Sequence, residues 1–118
     1  MTTTQYTCLS LERAQQYVGD MDAVLTLLGT LAQSLHNDLP RLQEQLDAGD
    51  LPGAHGVLHQ IKGFAPVFCA DALVDEVVRV EGLSKGADLQ AVRNAYAQLR
   101  PQLSQLLAEV QACLAAPR

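Results

Sequence analysis

His59, Lys62 and Gly63 are residues whose types and spacing could support chemistry. They lie in the stretch Leu58-His59-Gln60-Ile61-Lys62-Gly63. On a helix, the residues three and four positions after a side chain are its surface neighbours. Lys62 therefore places an ammonium beside the imidazole, and Gly63 leaves the ring uncovered. Because a glycine inside a helix costs about 1 kcal/mol relative to alanine, we interpret Gly63 as giving a bulky partner access to His59.

This pattern resembles that of the histidine phosphotransfer (HPt) family, whose members carry His-x-[Leu/Ile]-Lys-Gly on a helix of an antiparallel four-helix bundle. The family also tends to have a small residue six positions after the His, a Gly ten after it, a Leu fourteen after it and a Gln or Glu about twenty-two after it. The corresponding residues here are Ala65, Cys69, Leu73 and Glu81. Cys69 departs from the usual Gly but is still small.

The resemblance implies that His59 accepts a phosphoryl group from an aspartyl phosphate and later passes it to another aspartate. Lys62 would place positive charge beside the phosphoryl oxygens, and Glu81 would orient the ring if it reaches Nδ1. The expected partners are receiver domains of hybrid sensor kinases and response regulators in a bacterial cytoplasm. The chain would be a phosphoryl carrier and not an enzyme, with no cofactor of its own and Mg²⁺ on the partner.

Several of these residues also have simpler interpretations. Glu81 could be a rim carboxylate paired with Lys85 at the next turn, and Gly63 could be a packing glycine where two helices approach. Leu58, Phe64 and Lys85 are candidates for contact with a receiver domain, although Phe64 could equally belong to the core. Lys62, taken alone, could be a solvated charge.

Two other functions are consistent with parts of the sequence. His55 and His59 form an i, i+4 pair that could bind zinc. The pair lacks the Glu of HExxH, so a third ligand would have to come from His36, an Asp or a Cys elsewhere, and we expect no metal on this chain. A non-catalytic helical interaction module would explain the amphipathic stripes but not Lys62-Gly63. A hydrolase is least consistent, because no Ser or Cys has a recognisable nucleophile setting.

Length and composition limit the remaining classes. The chain has 118 residues and a net charge of −5 without a basic cluster, which argues against binding to nucleic acid or to an anionic membrane. Three cysteines without a CxxC spacing, no signal peptide and no long apolar run indicate a cytoplasmic protein. We expect residues 1–118 to form one free-standing, monomeric domain in which residues 1–9 are flexible.

The apolar pattern predicts an all-α fold, an antiparallel up-down four-helix bundle preceded by a short N-terminal helix. The short helix should cover 11–18, between a Ser10 N-cap and Gly19. The four longer helices should begin after Asp20, at Leu51, near Asp71 and after Asp88, with a tight corner at Gly49-Asp50. Proline should bend the second and last helices at Pro40 and Pro101, and should kink the third helix or end it early at Pro66.

Overall fold

Five helices account for most of residues 6–116, the part of the chain that the computed structural model describes. They are α1 (Leu11–Val18), α2 (Met21–Asp47), α3 (Leu51–Phe68), α4 (Asp71–Ser84) and α5 (Leu89–Ala115). Helices α2 to α5 pack around one apolar core, and α1 packs on α2 and α3. The all-α bundle with an additional short N-terminal helix is therefore confirmed. None of the helices in residues 6–116 is long and apolar enough to cross a membrane.

The helix boundaries follow from short-range polar signals. The side chains of Ser10, Asp20, Asp50 and Asp88 each accept a backbone N–H in the first turn of the helix that follows, as N-cap residues do. Gly19 and Gly49 have positive φ angles of 92° and 76°, which reverse the chain after α1 and α2. The three-residue and two-residue connections before α3 and α4 favour the antiparallel arrangement that we predicted.

The core is formed by the predicted apolar stripes, with two differences. Leu27 and Val78 fit the apolar patterns of α2 and α4 in the sequence, which predict that they face inward, but they are 41% and 44% exposed. Each lies beside a residue that already fills the inward position of its turn, Leu28 on α2 and Val77 on α4, and both of those are fully buried. The apolar faces of α2 and α4 are thus narrower than the sequence pattern indicated.

Prolines do not end the helices that contain them. Helix α3 continues through Pro66 as far as Phe68, so the early end that we considered is wrong. A proline removes one hydrogen bond to the preceding turn, but Ala65 and Phe68, on either side of it, are buried in the core and hold the last turn in place. Helices α2 and α5 likewise run through Pro40 and Pro101.

The N-terminal segment before α1 is attached to the bundle at residues 7–9, for which flexibility was expected. Residues 1–5 lie outside the described part of the chain. The backbone N–H groups of Thr7, Cys8 and Leu9 donate to the carboxylate of Glu109 at 3.2, 2.8 and 2.9 Å. Leu9 also forms an antiparallel bridge with Cys69. Residues 7–9 are therefore fixed across the ends of α3 and α5.

Candidate functional site

The packing of α3 against α4 brings His59 to Glu81. His59 stands in the middle of α3 with its side chain 68% exposed, and Glu81 projects from α4 with a side chain that is 1% exposed. Nδ1 of His59 lies 3.1 Å from Oε2 of Glu81. One nitrogen of the ring is thus held by a buried carboxylate on a neighbouring helix, while most of the imidazole remains open to solvent.

Two ammonium groups stabilise the negative charge of Glu81. Nζ of Lys62 lies 3.7 Å from Oε2, and Nζ of Lys85 lies 3.4 Å from Oε1. Burial by itself raises the pKa of this carboxyl, but the hydrogen bond with His59 and the charges of Lys62 and Lys85 outweigh it, so that the pKa of Glu81 is lowered. Glu81 is therefore ionised at neutral pH.

An ionised carboxylate determines the tautomer of His59. Its oxygens can only accept hydrogen bonds, so a neutral His59 must carry its proton on Nδ1 to bond with Glu81. The other nitrogen, Nε2, then has a free lone pair. The arrangement can act chemically as an exposed nitrogen nucleophile whose opposite nitrogen is bonded to a negative charge.

His55 approaches the same carboxylate oxygen from one turn earlier on α3. Its Nε2 lies 3.6 Å from Oε2 of Glu81, and its ring centroid lies 5.9 Å from that of His59. This Nε2 atom is buried and has no hydrogen-bond partner among the described residues. The i, i+4 spacing placed His55 beside His59 in our sequence analysis, but it did not indicate that Glu81 would face both rings.

Gly63 borders the exposed side of His59 and packs against nothing. A Cβ atom added at Gly63 would have no heavy atom of another part of the chain within 4 Å. The interpretation of Gly63 as a packing glycine between two helices is therefore wrong. The absence of a side chain here is not required by the fold, and its effect is to leave the surface next to the imidazole clear.

The three candidate docking residues lie in different environments. Leu58 is fully buried in the core, because it lies on the inward face of α3 with Ile61, and it offers no surface to a partner. Phe64 is partly buried and packs against the core. The side chain of Lys85 is 58% exposed. Of these candidates, Leu58 is thus excluded by the structure, and the other two are accessible in part.

His55, His59 and Glu81 could also hold a metal ion. Their nearest ligand atoms all lie within 4.8 Å of one another, and they form a group of three potential ligands within the described part of the chain. From the sequence we expected no metal here, and a third ligand for the two histidines would have had to come from His36, an Asp or a Cys. The residue that faces both rings is instead Glu81, which the sequence analysis considered only as a partner of His59 or Lys85.

Glu109 was missed by the sequence analysis. It is 6% exposed on α5 and accepts the three backbone N–H groups of the N-terminal segment. Its position between the buried residues Leu106 and Val110 was a usable signal, because a carboxylate within an apolar stripe needs polar partners. Glu109 serves the attachment of residues 7–9 and does not belong to the histidine site.

Comparison with known proteins gives a family assignment. The family model described as Hpt domain matches residues 26–113, which include α3, α4 and all the site residues described above. No curated protein and no solved structure matches the chain. The matched region covers more than half of the 118 residues, and the chain belongs to the Hpt domain family.

Proposed function

We propose that this chain carries a phosphoryl group between receiver domains, with Nε2 of His59 as the atom that accepts and donates it. The observation that supports this most directly is the position of His59, whose ring is exposed while its Nδ1 faces the buried carboxylate of Glu81 at 3.1 Å. Family membership supports histidine phosphotransfer in a two-component phosphorelay. The assignment of the individual residues below rests on their geometry.

In the proposed step, the lone pair of Nε2 attacks the phosphorus of an aspartyl phosphate on the partner. The N–P bond forms as the P–O bond to the aspartate breaks, and the aspartate leaves as a carboxylate with the bonding electron pair. The proton on Nδ1 stays in place, so the phosphorylated ring carries a positive charge. Glu81 stabilises that charge through its contact with Nδ1. Transfer to a second receiver is the same step in reverse.

Lys62 and Gly63 complete the proposed site. Phosphoryl transfer depends mainly on positioning and on neutralising the charge of the phosphoryl oxygens. Lys62 is three residues after His59 on α3, and its side chain is 35% exposed, so its ammonium can turn from Glu81 toward an incoming phosphoryl group. The open surface at Gly63 gives the partner an approach to Nε2.

The partner supplies the rest of the chemistry. We propose that Mg²⁺ is bound by the receiver domain, whose carboxylates suit that ion, and that this chain acts as a carrier without a cofactor. Phe64 and Lys85 are the remaining docking candidates. The three cysteines are buried thiols that form no disulfide with one another, which fits a reducing compartment, and we place the relay in the cytoplasm with the domain as a monomer.

The test is phosphoryl transfer from a labelled, phosphorylated receiver domain to the wild-type chain and to His59→Gln. The matched control is His36→Gln, which makes the same chemical change at an exposed histidine of α2. We expect acid-labile, base-stable label on the wild type and on His36→Gln, and none on His59→Gln. Equal labelling of His59→Gln, or no labelling of the wild type by any of several receivers, would contradict the proposal.

A further inference from the structure

We propose that His55, His59 and Glu81 bind one Zn²⁺ ion, and that this ion blocks the phosphoryl acceptance proposed above for His59. Nδ1 of His59 and Nε2 of His55 lie 3.1 and 3.6 Å from the same oxygen of Glu81. Each of the three residues offers a ligand atom within 4.8 Å of those of the other two. Tetrahedral zinc with bonds of about 2.0–2.1 Å places neighbouring ligand atoms roughly 3.3 Å apart. Small side-chain rotations are enough to reach that geometry.

The site also contains a buried nitrogen without a hydrogen-bond partner. Nε2 of His55 is inaccessible to solvent and has no hydrogen bond within residues 6–116. At 3.6 Å it is too far from Glu81 for a hydrogen bond. Buried polar atoms normally have a partner, and a cation between the two rings and the carboxylate gives this nitrogen one.

The types of the three ligands favour zinc over other common metal ions. Two imidazole nitrogens and one carboxylate oxygen are ligands that zinc accepts, with a fourth position left for water. Magnesium and calcium prefer oxygen ligands, so this set selects against both. The proton on Nδ1 of His59 must leave that atom when zinc binds, which makes zinc binding and the tautomer described above mutually exclusive.

Lys62 and Lys85 oppose a cation at this position, since their ammonium groups lie 3.7 and 3.4 Å from the carboxylate of Glu81. Both side chains are partly exposed, at 35% and 58%, and can turn into solvent when the ion binds. The remaining repulsion makes the site weaker than a structural zinc site. A weaker site is one whose occupancy can change with the concentration of free zinc.

The effect on phosphoryl transfer follows from the structure of imidazole. A neutral ring has one protonated nitrogen and one lone pair. Zinc on Nδ1 uses that lone pair, so the proton moves to Nε2, and Nε2 can no longer attack phosphorus. The ion also takes Glu81 away from its contact with His59. Zinc at Nδ1 and a phosphoryl group at Nε2 therefore exclude each other, because the neutral ring of His59 has one lone pair for either of them.

Metal binding is tested without any partner protein, by Co²⁺ absorption spectroscopy followed by Zn²⁺ displacement. We expect the intense visible bands of tetrahedral Co²⁺ with the wild type and with His36→Gln. His55→Gln should weaken binding at least tenfold, whereas Lys62→Ala should tighten it severalfold because it removes a repelling charge. Equal affinity of the wild type and His55→Gln, or no tetrahedral spectrum, would overturn the proposal.

Inhibition is tested by adding Zn²⁺ to the transfer assay and comparing each protein with its own zinc-free rate. The wild type and His36→Gln should lose transfer in the concentration range in which zinc displaces Co²⁺, and His55→Gln should resist. Equal inhibition of His55→Gln would show that zinc acts without the three-residue site and would contradict the proposal. If no transfer occurs without zinc, the proposed function fails, but the Co²⁺ spectrum still decides the metal site.

Discussion

Nζ of Lys85 lies 3.4 Å from Oε1 of Glu81, whereas both histidines pair with the other carboxylate oxygen, Oε2. Lys62 approaches the other oxygen, Oε2, which is also the partner of His59. The two lysines therefore stabilise the same negative charge from two sides, but Lys62 shares the oxygen used by the imidazole and follows it by one turn on α3.

This difference predicts unequal effects of removing the two lysines. Lys62→Ala should slow phosphoryl transfer about tenfold, which corresponds to roughly 1.4 kcal/mol in the activation barrier, because the charge beside the phosphoryl oxygens is lost. Lys85→Ala should slow transfer less. Rates measured with a phosphorylated receiver at several salt concentrations check this, and helicity by circular dichroism should stay unchanged. An equal or larger effect of Lys85→Ala would contradict the special role of Lys62.

Glu81→Gln should reduce transfer by about 10- to 100-fold, the range found when the carboxylate that orients a metal-bound histidine is removed. The amide keeps the size of the side chain but cannot balance the positive charge of the phosphorylated ring. Single-turnover transfer and the lifetime of the phosphohistidine measure the two consequences. Glu76→Gln is the control, since Glu76 lies on the same helix and pairs with Arg79, at about 140° around the axis from Glu81. An equal loss in both variants would indicate a general effect on α4.

The features that could be predicted from the sequence are those that local patterns of residues determine. The motif around His59, the helix boundaries and the apolar stripes depend on residues within a few turns of one another, and the structure has these elements where the patterns indicated. Contacts between distant segments were harder to predict. Glu109 bonds residues 7–9 from about a hundred positions away, and His55 meets Glu81 only because α3 packs on α4.

Glu81 and Leu58 illustrate the same limit. Glu81 had two possible partners in sequence, His59 through the resemblance and Lys85 through helical spacing. The structure gives it both, one on each oxygen. Leu58 was a docking candidate as an apolar residue near His59, although the apolar pattern of α3 also predicted that it faces the core. A helix turns about 100° per residue, so adjacent residues face different surroundings, and Leu58 is buried.

Substitution of Gly63 should affect the stability of the fold and the rate of phosphoryl transfer in opposite directions. Because an added Cβ meets nothing within 4 Å, Gly63→Ala should stabilise the fold by about 0.5–1 kcal/mol through the higher helix propensity of alanine. Gly63→Gln should also fold, while its longer side chain covers His59 and slows transfer at least about tenfold. Thermal unfolding and the transfer assay measure the two effects.

Gly29 supplies the matched control for this prediction. It is an exposed glycine inside α2 whose added Cβ also meets nothing. Pro40 and His59 are each about ten residues from the corner at 48–50, so they lie at about the same level of the bundle. Gly29 is about three turns before Pro40 on α2, which places it on the order of 15 Å further along the bundle. Gly29→Ala and Gly29→Gln should raise stability in the same way without slowing transfer. Unchanged transfer in Gly63→Gln would refute the access argument.

Acid should release the N-terminal segment from α5 before the bundle unfolds. Burial raises the pKa of Glu109, but the N–H groups of Leu9, Cys8 and Thr7 and the side chain of Gln105 outweigh it, so the pKa of Glu109 is lowered. The resulting stabilisation is complete above the unfolded-state pKa of about 4.3 and is lost as the pH falls through the lower, folded-state pKa. The protection of the amides of residues 7–9 against hydrogen exchange, measured relative to the intrinsic exchange rate at each pH, should therefore fall below about pH 4.

Glu109→Gln should expose the same amides at neutral pH and cost about 1–3 kcal/mol, whereas Glu44→Gln, at an exposed position, should change neither. Protected amides at residues 7–9 in Glu109→Gln would show that the bridge between Leu9 and Cys69 holds the segment by itself.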